Sequence, residues 1–177
     1  MTTTTTTTKK VNQKELQSLR LFLDKVVINV GCGRTSQMQN FEEKILPEIR
    51  KDIASLSGQS AQIRRATKSI AGFKIREGQI VGVRSTLRGQ KMVDFFERLV
   101  KIVLPRVRDF AGLELKNVDH GGALNIGLKE HMVFPEIDPD TTNHFFPMQI
   151  TIVPKIKDRE AALEMYRSLG VPLKKQK

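Results

Sequence analysis

The stretch AQIRRATKSIAGFKIREGQIVGVRSTL, residues 61–87, predicts a β-hairpin with a basic tip. We expect one strand from Ala61 to Ala66 and a second from Gln79 to Leu87, separated by a segment rich in turn residues. Within that segment, Gly72 and Gly78 allow the backbone to turn and to approach another molecule closely. The tip of the hairpin is therefore expected to protrude.

The segment between the strands, which we call the basic loop (residues 66–79), has the chemistry of a polyanion-binding element. Lys68, Lys74 and Arg76 surround Phe73, and the first acid of the segment is Glu77. The cations can neutralise phosphates, the hydroxyls can donate to phosphate oxygens, and the phenyl ring can stack or wedge. A solvated, charged hairpin tip is the alternative interpretation.

The composition of the whole chain favours the same class of partner. Thirty Lys and Arg against nineteen Asp and Glu give a formal net charge of +11 and a pI near 10.0. Nucleic acid is the usual partner of such a chain, and its binding should depend strongly on salt. A membrane is not expected, because no apolar run approaches the ~18 to 20 residues needed to span a bilayer and no secretory signal follows the early lysines.

The rest of the chain predicts helices and strands without regular βαβ units. The stripe Phe41, Ile45, Ile49 and Ile53 indicates an amphipathic helix that Pro47 either opens or kinks. The other expected elements are helices at 14–23 and 91–104, the latter ended by Pro105, strands at 25–30, 125–133 and 148–153, and a last helix capped by Asp158 and stopped by Gly170.

This pattern predicts an α+β fold: a single domain with a mainly antiparallel sheet covered by helices, and a protruding basic hairpin loop. The domain should span residues 14–173. We expect the threonine-rich residues 1–13 to be a disordered arm and residues 174–177 to be a basic tail.

Candidate enzyme sites are weak, and we expect no catalytic residue, metal or cofactor. Gly31-Cys32-Gly33 lacks the third glycine of a dinucleotide loop, since Ser36 stands in its place, and one cysteine cannot build a cysteine zinc site. The best case for a metal-dependent nuclease is a cluster of acids and histidines without HxxxH or HExxH spacing: His120, Glu130, His131, Glu136, Asp138, Asp140 and His144.

Five ordered motifs resemble one known family. They are KVVINVGCG, SLSGQ, ATKSIAGFKIREGQIVG, STLRGQKMVDFFERLVKIVLPRVRDFAGL and VFPEID, which together extend over roughly residues 25–173. On these motifs the chain resembles the bacterial and organellar family of large-subunit ribosomal protein five, which binds 5S rRNA.

The resemblance implies a structural role in the central protuberance of the large ribosomal subunit, on a cytoplasmic ribosome, with an organellar ribosome as the alternative. The implied partners are 5S rRNA, 23S rRNA, the P-site tRNA, small-subunit ribosomal protein thirteen and neighbouring 5S rRNA-binding large-subunit proteins. A free RNA chaperone or translation regulator is the alternative function, followed by a metal-dependent nuclease.

The resemblance also assigns candidate contact residues. In the basic loop, the residues expected to face tRNA are Lys68, Ser69, Gly72, Phe73, Lys74, Ile75 and Arg76. The residues expected to contact rRNA are Asn29, Gln59, Thr86 and Arg88, to which we add Arg64 on its charge, since it departs from the family pattern and could instead alter strand packing. Amide and hydroxyl groups can bond 2′-hydroxyls and base edges, and a guanidinium can bind phosphate in a bidentate manner. The alternative for Asn29, Gln59, Thr86 and Arg88 is that each caps or turns the chain.

Several positions depart from the family pattern. Gln62 and Arg64 stand where an aliphatic residue and a threonine are usual, and Ala123 replaces a common asparagine. The segment between Gly33 and Ser57 is longer than usual, and the N-terminal region is shorter. These differences concern strand packing and contacts with neighbours.

Overall fold

A computed structural model describes residues 18–138 and 144–174. The predicted arm, residues 1–13, lies outside these ranges, as do Asp140 and residues 175–177 of the predicted tail. Residues 18–22 are helical. The elements that follow are β1 (Leu23–Gly31), α1 (Phe41–Ile45 continued by Leu46–Ser57), β2 (Gln62–Arg65), β3 (Ile80–Leu87), α2 (Gly89–Arg98 continued by Leu99–Val103 and Leu104–Arg106), β4 (Leu124–Leu128), β5 (Met148–Pro154) and α3 (Arg159–Ser168).

The strands form one five-stranded antiparallel sheet in the order β2-β3-β1-β5-β4. The predicted hairpin is confirmed: β2 and β3 pair antiparallel, with Ile63 opposite Val83 and Arg64 opposite Gly82. A register shift follows between Arg64 and Arg65, where the chain enters the basic loop. With helices added to this sheet, the predicted α+β fold is confirmed.

The described residues fall into two compact units, and β1, β4 and β5 contribute to both. One unit comprises the described parts of Met1–Val26, Arg88–Ile126 and Thr151–Lys177. The other comprises Val27–Leu87 and the described parts of Gly127–Ile150, and it contains the basic loop.

In the unit with the basic loop, α1 packs against β3. Phe41, Ile45, Ile49 and Ile53 are all buried, which confirms the helical period of four. Pro47 lies in the first turn of the α-helical part of α1, directly after a π-helical turn. The wider turn fits a residue that has no N–H and whose ring would clash with the carbonyl four residues back.

In the other unit, a π-helical turn also precedes a proline in α2. The helix was predicted to end at Pro105, but it continues to Arg106 because a π-helical turn, Leu99–Val103, precedes the proline. Phe95 and Phe96 are fully buried, which confirms them as core residues. Asp158 caps α3 as predicted, since its carboxylate accepts the Ala161 N–H at 3.1 Å.

The predicted strand over residues 125–133 was half wrong. The strand β4 ends at Leu128, and His131–Val133 forms a 3₁₀ turn instead. His131 is completely buried there, stacked on Phe146 with ring centroids 3.8 Å apart. The stacking of His131 on Phe146 is a tertiary contact that no local periodicity could reveal.

Candidate nucleic-acid interface

The basic loop is a small folded structure rather than an open arc. Ile70 and Ile75 pair as an antiparallel bridge, with N–H to carbonyl distances of 2.9 and 3.2 Å. Between them a 3₁₀ turn carries Phe73 to the tip, where its side chain is 71% exposed. Lys74 then adopts the left-handed conformation with φ +52°, which closes the turn. The tip therefore has a defined shape before any partner binds.

The base of the loop is also tied by hydrogen bonds. The Ala66 N–H donates to Gln79 O at 2.8 Å and the Gly78 N–H donates to Ala66 O at 2.9 Å. The guanidinium of Arg65 donates to Gly78 O at 2.9 Å, and the Ser69 hydroxyl oxygen accepts the Glu77 N–H at 2.9 Å. The Ser69 hydroxyl keeps its own proton for a further acceptor such as a phosphate oxygen.

Most of the residues predicted to face tRNA are exposed. The exposed set is Lys68, Ser69, Gly72, Phe73, Lys74 and Arg76. Ile75 differs, because it is half-buried and its side chain approaches Gly33. In the unbound protein Ile75 therefore packs the loop onto its own unit, while the cations around it remain exposed to solvent.

The residues predicted to contact rRNA include two that share one face of the hairpin. Paired residues of an antiparallel ladder point to the same side, so Arg64, Gly82 and Thr86 lie on one face. Arg64 is exposed and Thr86 is half-buried. Their backbones are about 13 Å apart, because four residues of strand separate Thr86 from the partner of Arg64.

Arg84, which was not among the predicted rRNA contacts, lies between these positions on the same face. It pairs with Gln62, and it is half-buried with an Nε that has no hydrogen-bond partner within the described residues. The signal that could have found it is the period of two in β3, which aligns Arg84 with Thr86. The face thus presents two guanidinium groups beside polar uncharged side chains.

The side-chain amide nitrogen of Gln59 forms hydrogen bonds within the protein. The Nε2 group donates to Thr86 O at 2.9 Å and to Ser85 Oγ at 3.1 Å, which ties the turn after α1 to β3. The amide oxygen is the part of the side chain left to accept a bond from RNA. Gln59 therefore has a structural role as well, since its side chain joins two parts of the fold.

Asn29 and Arg88 are both exposed. Asn29 lies on β1, the strand next to β3 in the sheet. Arg88 directly follows β3 in extended conformation and stands at the N-cap of α2, where its side chain makes no capping bond. Both side chains are thus accessible to a ligand.

Two histidines of the cluster weighed as a nuclease site, His131 and His144, contact acids of α1 that lie outside that cluster. His144 Nδ1 lies 2.8 Å from Glu48 Oε2, and His131 Nε2 lies 3.4 Å from Asp52 Oδ2. The second distance exceeds a normal hydrogen bond, so it is an electrostatic contact. Within residues 18–138 and 144–174, no group of three or more His, Cys, Asp and Glu is arranged to hold a metal ion.

Burial governs the protonation of the His131 pair. Desolvation lowers the pKa of His131 below its usual 6.5, an effect that the nearby Asp52 carboxylate partly opposes. Desolvation likewise raises the pKa of Asp52, against the influence of His131. The lowered pKa means that the native state holds His131 neutral more strongly than the unfolded chain does.

Comparison with known proteins gives the family. A model described as ribosomal protein L5 matches residues 19–76, and a second, which describes the C-terminus of the same ribosomal family, matches residues 80–173. The chain belongs to the ribosomal protein L5 family. The expected resemblance is confirmed, and with it the expectation of a ribosomal protein with a structural, non-enzymatic role.

Similar proteins named large ribosomal subunit protein uL5 occur in several bacteria. The protein of Halothermothrix orenii is 43% identical over 150 residues, covering 85% of this chain and 82% of the relative. The protein of Rubrobacter xylanophilus is 43% identical over 152 residues, covering 86% and 82%, and that of Syntrophomonas wolfei is 41% identical over 152 residues, covering 86% and 83%. None of the helices within the described ranges has the length and apolar character to cross a bilayer.

Proposed function

We propose that this L5-family chain is a structural constituent of the large ribosomal subunit that binds 5S rRNA and helps to attach it to 23S rRNA in the central protuberance. The observation that carries the proposal is the β2–β3 hairpin, which combines a polar face bearing Arg64 and Arg84 with a folded, cationic tip. Such a hairpin offers RNA two separate surfaces.

The polar face of the hairpin suits the shallow minor groove of an RNA helix. Guanidinium groups bind phosphates, while the Thr86 hydroxyl and the Gln59 amide oxygen can bond 2′-hydroxyls. The core-facing side of β3 carries Val83 and Leu87, both fully buried, so the polar side is the one left for RNA. Asn29 and Arg88, which are also exposed, are the other residues proposed to contact rRNA.

The basic loop is the proposed contact with the P-site tRNA. Its exposed cations, the exposed Phe73 ring and the Ser69 hydroxyl have the groups needed to bind a tRNA backbone and an unstacked base. Recognition would depend on backbone and shape more than on base edges. We also propose that the protein bridges to small-subunit ribosomal protein thirteen and contacts other 5S rRNA-binding proteins on a cytoplasmic ribosome.

Sedimentation tests the proposal directly. A tagged full-length chain should co-sediment with large subunits at moderate salt, and crosslinks from the β2–β3 face should map to 5S rRNA. A tagged chain that stays at the top of the gradient while bound to assorted RNAs would refute the ribosomal function. That outcome would support a free RNA chaperone or translation regulator.

A further inference from the structure

A short turn after β1 contacts the basic loop from outside. It is the 3₁₀ turn Thr35–Gln37, which belongs to the same compact unit as the loop. The Gln37 side-chain amide donates to Phe73 O at 3.3 Å, which places the turn against the tip of the loop. The turn is itself fixed to the residue that directly follows β1, since the Ser36 N–H donates to Cys32 O at 2.7 Å.

Gln79 joins this turn to the loop with both ends of its side-chain amide. Its Nε2 donates to Ser36 Oγ at 2.9 Å, and its Oε1 accepts the Arg76 N–H at 3.0 Å. Ser36 Oγ in turn donates to Gly33 O at 3.0 Å. The result is a continuous series of hydrogen bonds from the backbone at Arg76 to the turn and on to Gly33, two residues after β1.

We propose that the turn Thr35–Gln37 is a brace that holds the basic loop in its RNA-binding conformation, with Gln79 as the positioning residue. The inference rests on the proposed tRNA contact of the loop. Neither Gln37 nor Gln79 carries a charge, so they contribute no phosphate neutralisation. Their effect is to fix the backbone between Phe73 and Arg76 before RNA arrives.

Pre-organisation has a thermodynamic consequence that separates it from direct contact. A loop that is ordered in advance loses less conformational entropy on binding, so its affinity is higher at the same charge. The slope of log K against log salt reports the number of neutralised phosphates. Removal of the brace should therefore lower the tRNA affinity without changing this slope.

The test uses Gln79→Leu in the full-length protein, which removes both amide bonds at similar side-chain volume. Loss of two neutral hydrogen bonds predicts about a tenfold fall in affinity for a purified tRNA, at unchanged salt slope. In the free protein, hydrogen exchange at the Arg76 amide should be about tenfold faster. Binding of 5S rRNA should stay at the wild-type level.

Gln39→Leu is the matched control, because it makes the same change on an exposed glutamine two positions beyond the turn. Within the described residues no hydrogen bond links Gln39 to the loop, so both readouts should stay at wild-type values. Gln37→Leu should lower the tRNA affinity as well, since it removes the bond to the Phe73 carbonyl.

Two results would contradict the proposal that the turn Thr35–Gln37 is a brace. One is wild-type exchange at the Arg76 amide in Gln79→Leu, which would mean that the loop is ordered without the turn. The other is a salt slope that falls with affinity, which would make Gln79 part of the electrostatic contact. Removal of the loop cations tests the proposed tRNA contact separately. Amide exchange tests the brace without RNA, so the two proposals can fail independently.

Discussion

Replacing both Lys74 and Arg76 with alanine removes two exposed cations from the basic loop. Neither side chain forms an ion pair within the described part of the chain, so the substitution breaks no internal salt bridge. Alanine keeps the Cβ of lysine, so the left-handed backbone at Lys74 gains no strain. We expect the folded structure to persist and the affinity for tRNA to fall.

The size of the expected fall in tRNA affinity follows from counterion release. Each phosphate contact contributes about 0.7 to 0.9 to the slope of log K against log salt, so two contacts contribute about 1.4 to 1.8. At about 0.15 M salt this corresponds to about a 15- to 30-fold loss of affinity. Binding of 5S rRNA should be nearly unchanged, because that contact is assigned to the polar face of the hairpin.

The assay is a salt titration of tRNA and 5S rRNA binding with the wild type, the double variant and a charge-matched control. Lys157→Ala with Arg167→Ala is such a control, since both are exposed cations outside the loop, near and in α3. It carries the same net charge as the loop variant and should retain tRNA affinity. An equal loss of tRNA and 5S rRNA binding in the loop variant would refute the division of the two surfaces.

Three further variants, one of them a double variant, probe the rRNA contact, the pH dependence of stability and the packing of the sheet. Thr86→Ala with Arg88→Ala should weaken 5S rRNA binding while tRNA binding persists, measured in the same titrations. In the wild type, the unfolding free energy should fall from about pH 7 to about pH 5, because the unfolded chain takes up a proton at His131 more readily than the folded protein, in which burial lowers the pKa of His131. His131→Gln should make this fall smaller in urea melts. An equal dependence of the unfolding free energy on pH in the two proteins would contradict this. Gly82→Ala should destabilise the protein by about 2 kcal/mol in the same melts, since its Cβ would lie 2.8 Å from a backbone carbonyl of β1. Gly31→Ala, which meets nothing within 4 Å, should cost far less.

The parts of the fold that sequence predicted are those with local signals. The stripe of α1, the hairpin and the Asp158 cap each depend on spacing within a few residues, and each is confirmed. The end of β4 could not be predicted, because it depends on His131 meeting Asp52 and Phe146 from distant parts of the chain. Pro105 also misled the prediction, since a π-helical turn lets α2 continue past it.

The candidate site also has features that local sequence predicted and features that depend on distant contacts. Composition and motifs predicted the exposed cations of the basic loop, because Lys and Arg side chains are mostly exposed to solvent. The roles of Gln59 and Gln79 depend on partners across the unit, Thr86 and Ser36, and an amide has no sequence pattern that names its partner. Arg84 could have been found from the period of β3 alone.

The most direct test of the central claim is competition binding to 5S rRNA over a salt series, with tRNA and an unrelated hairpin of equal length as competitors. The account predicts tight binding of 5S rRNA that resists the unrelated hairpin and persists near physiological salt. Equal affinity for all three RNAs, lost together as salt rises, would contradict it and leave only a basic protein with general attraction to RNA.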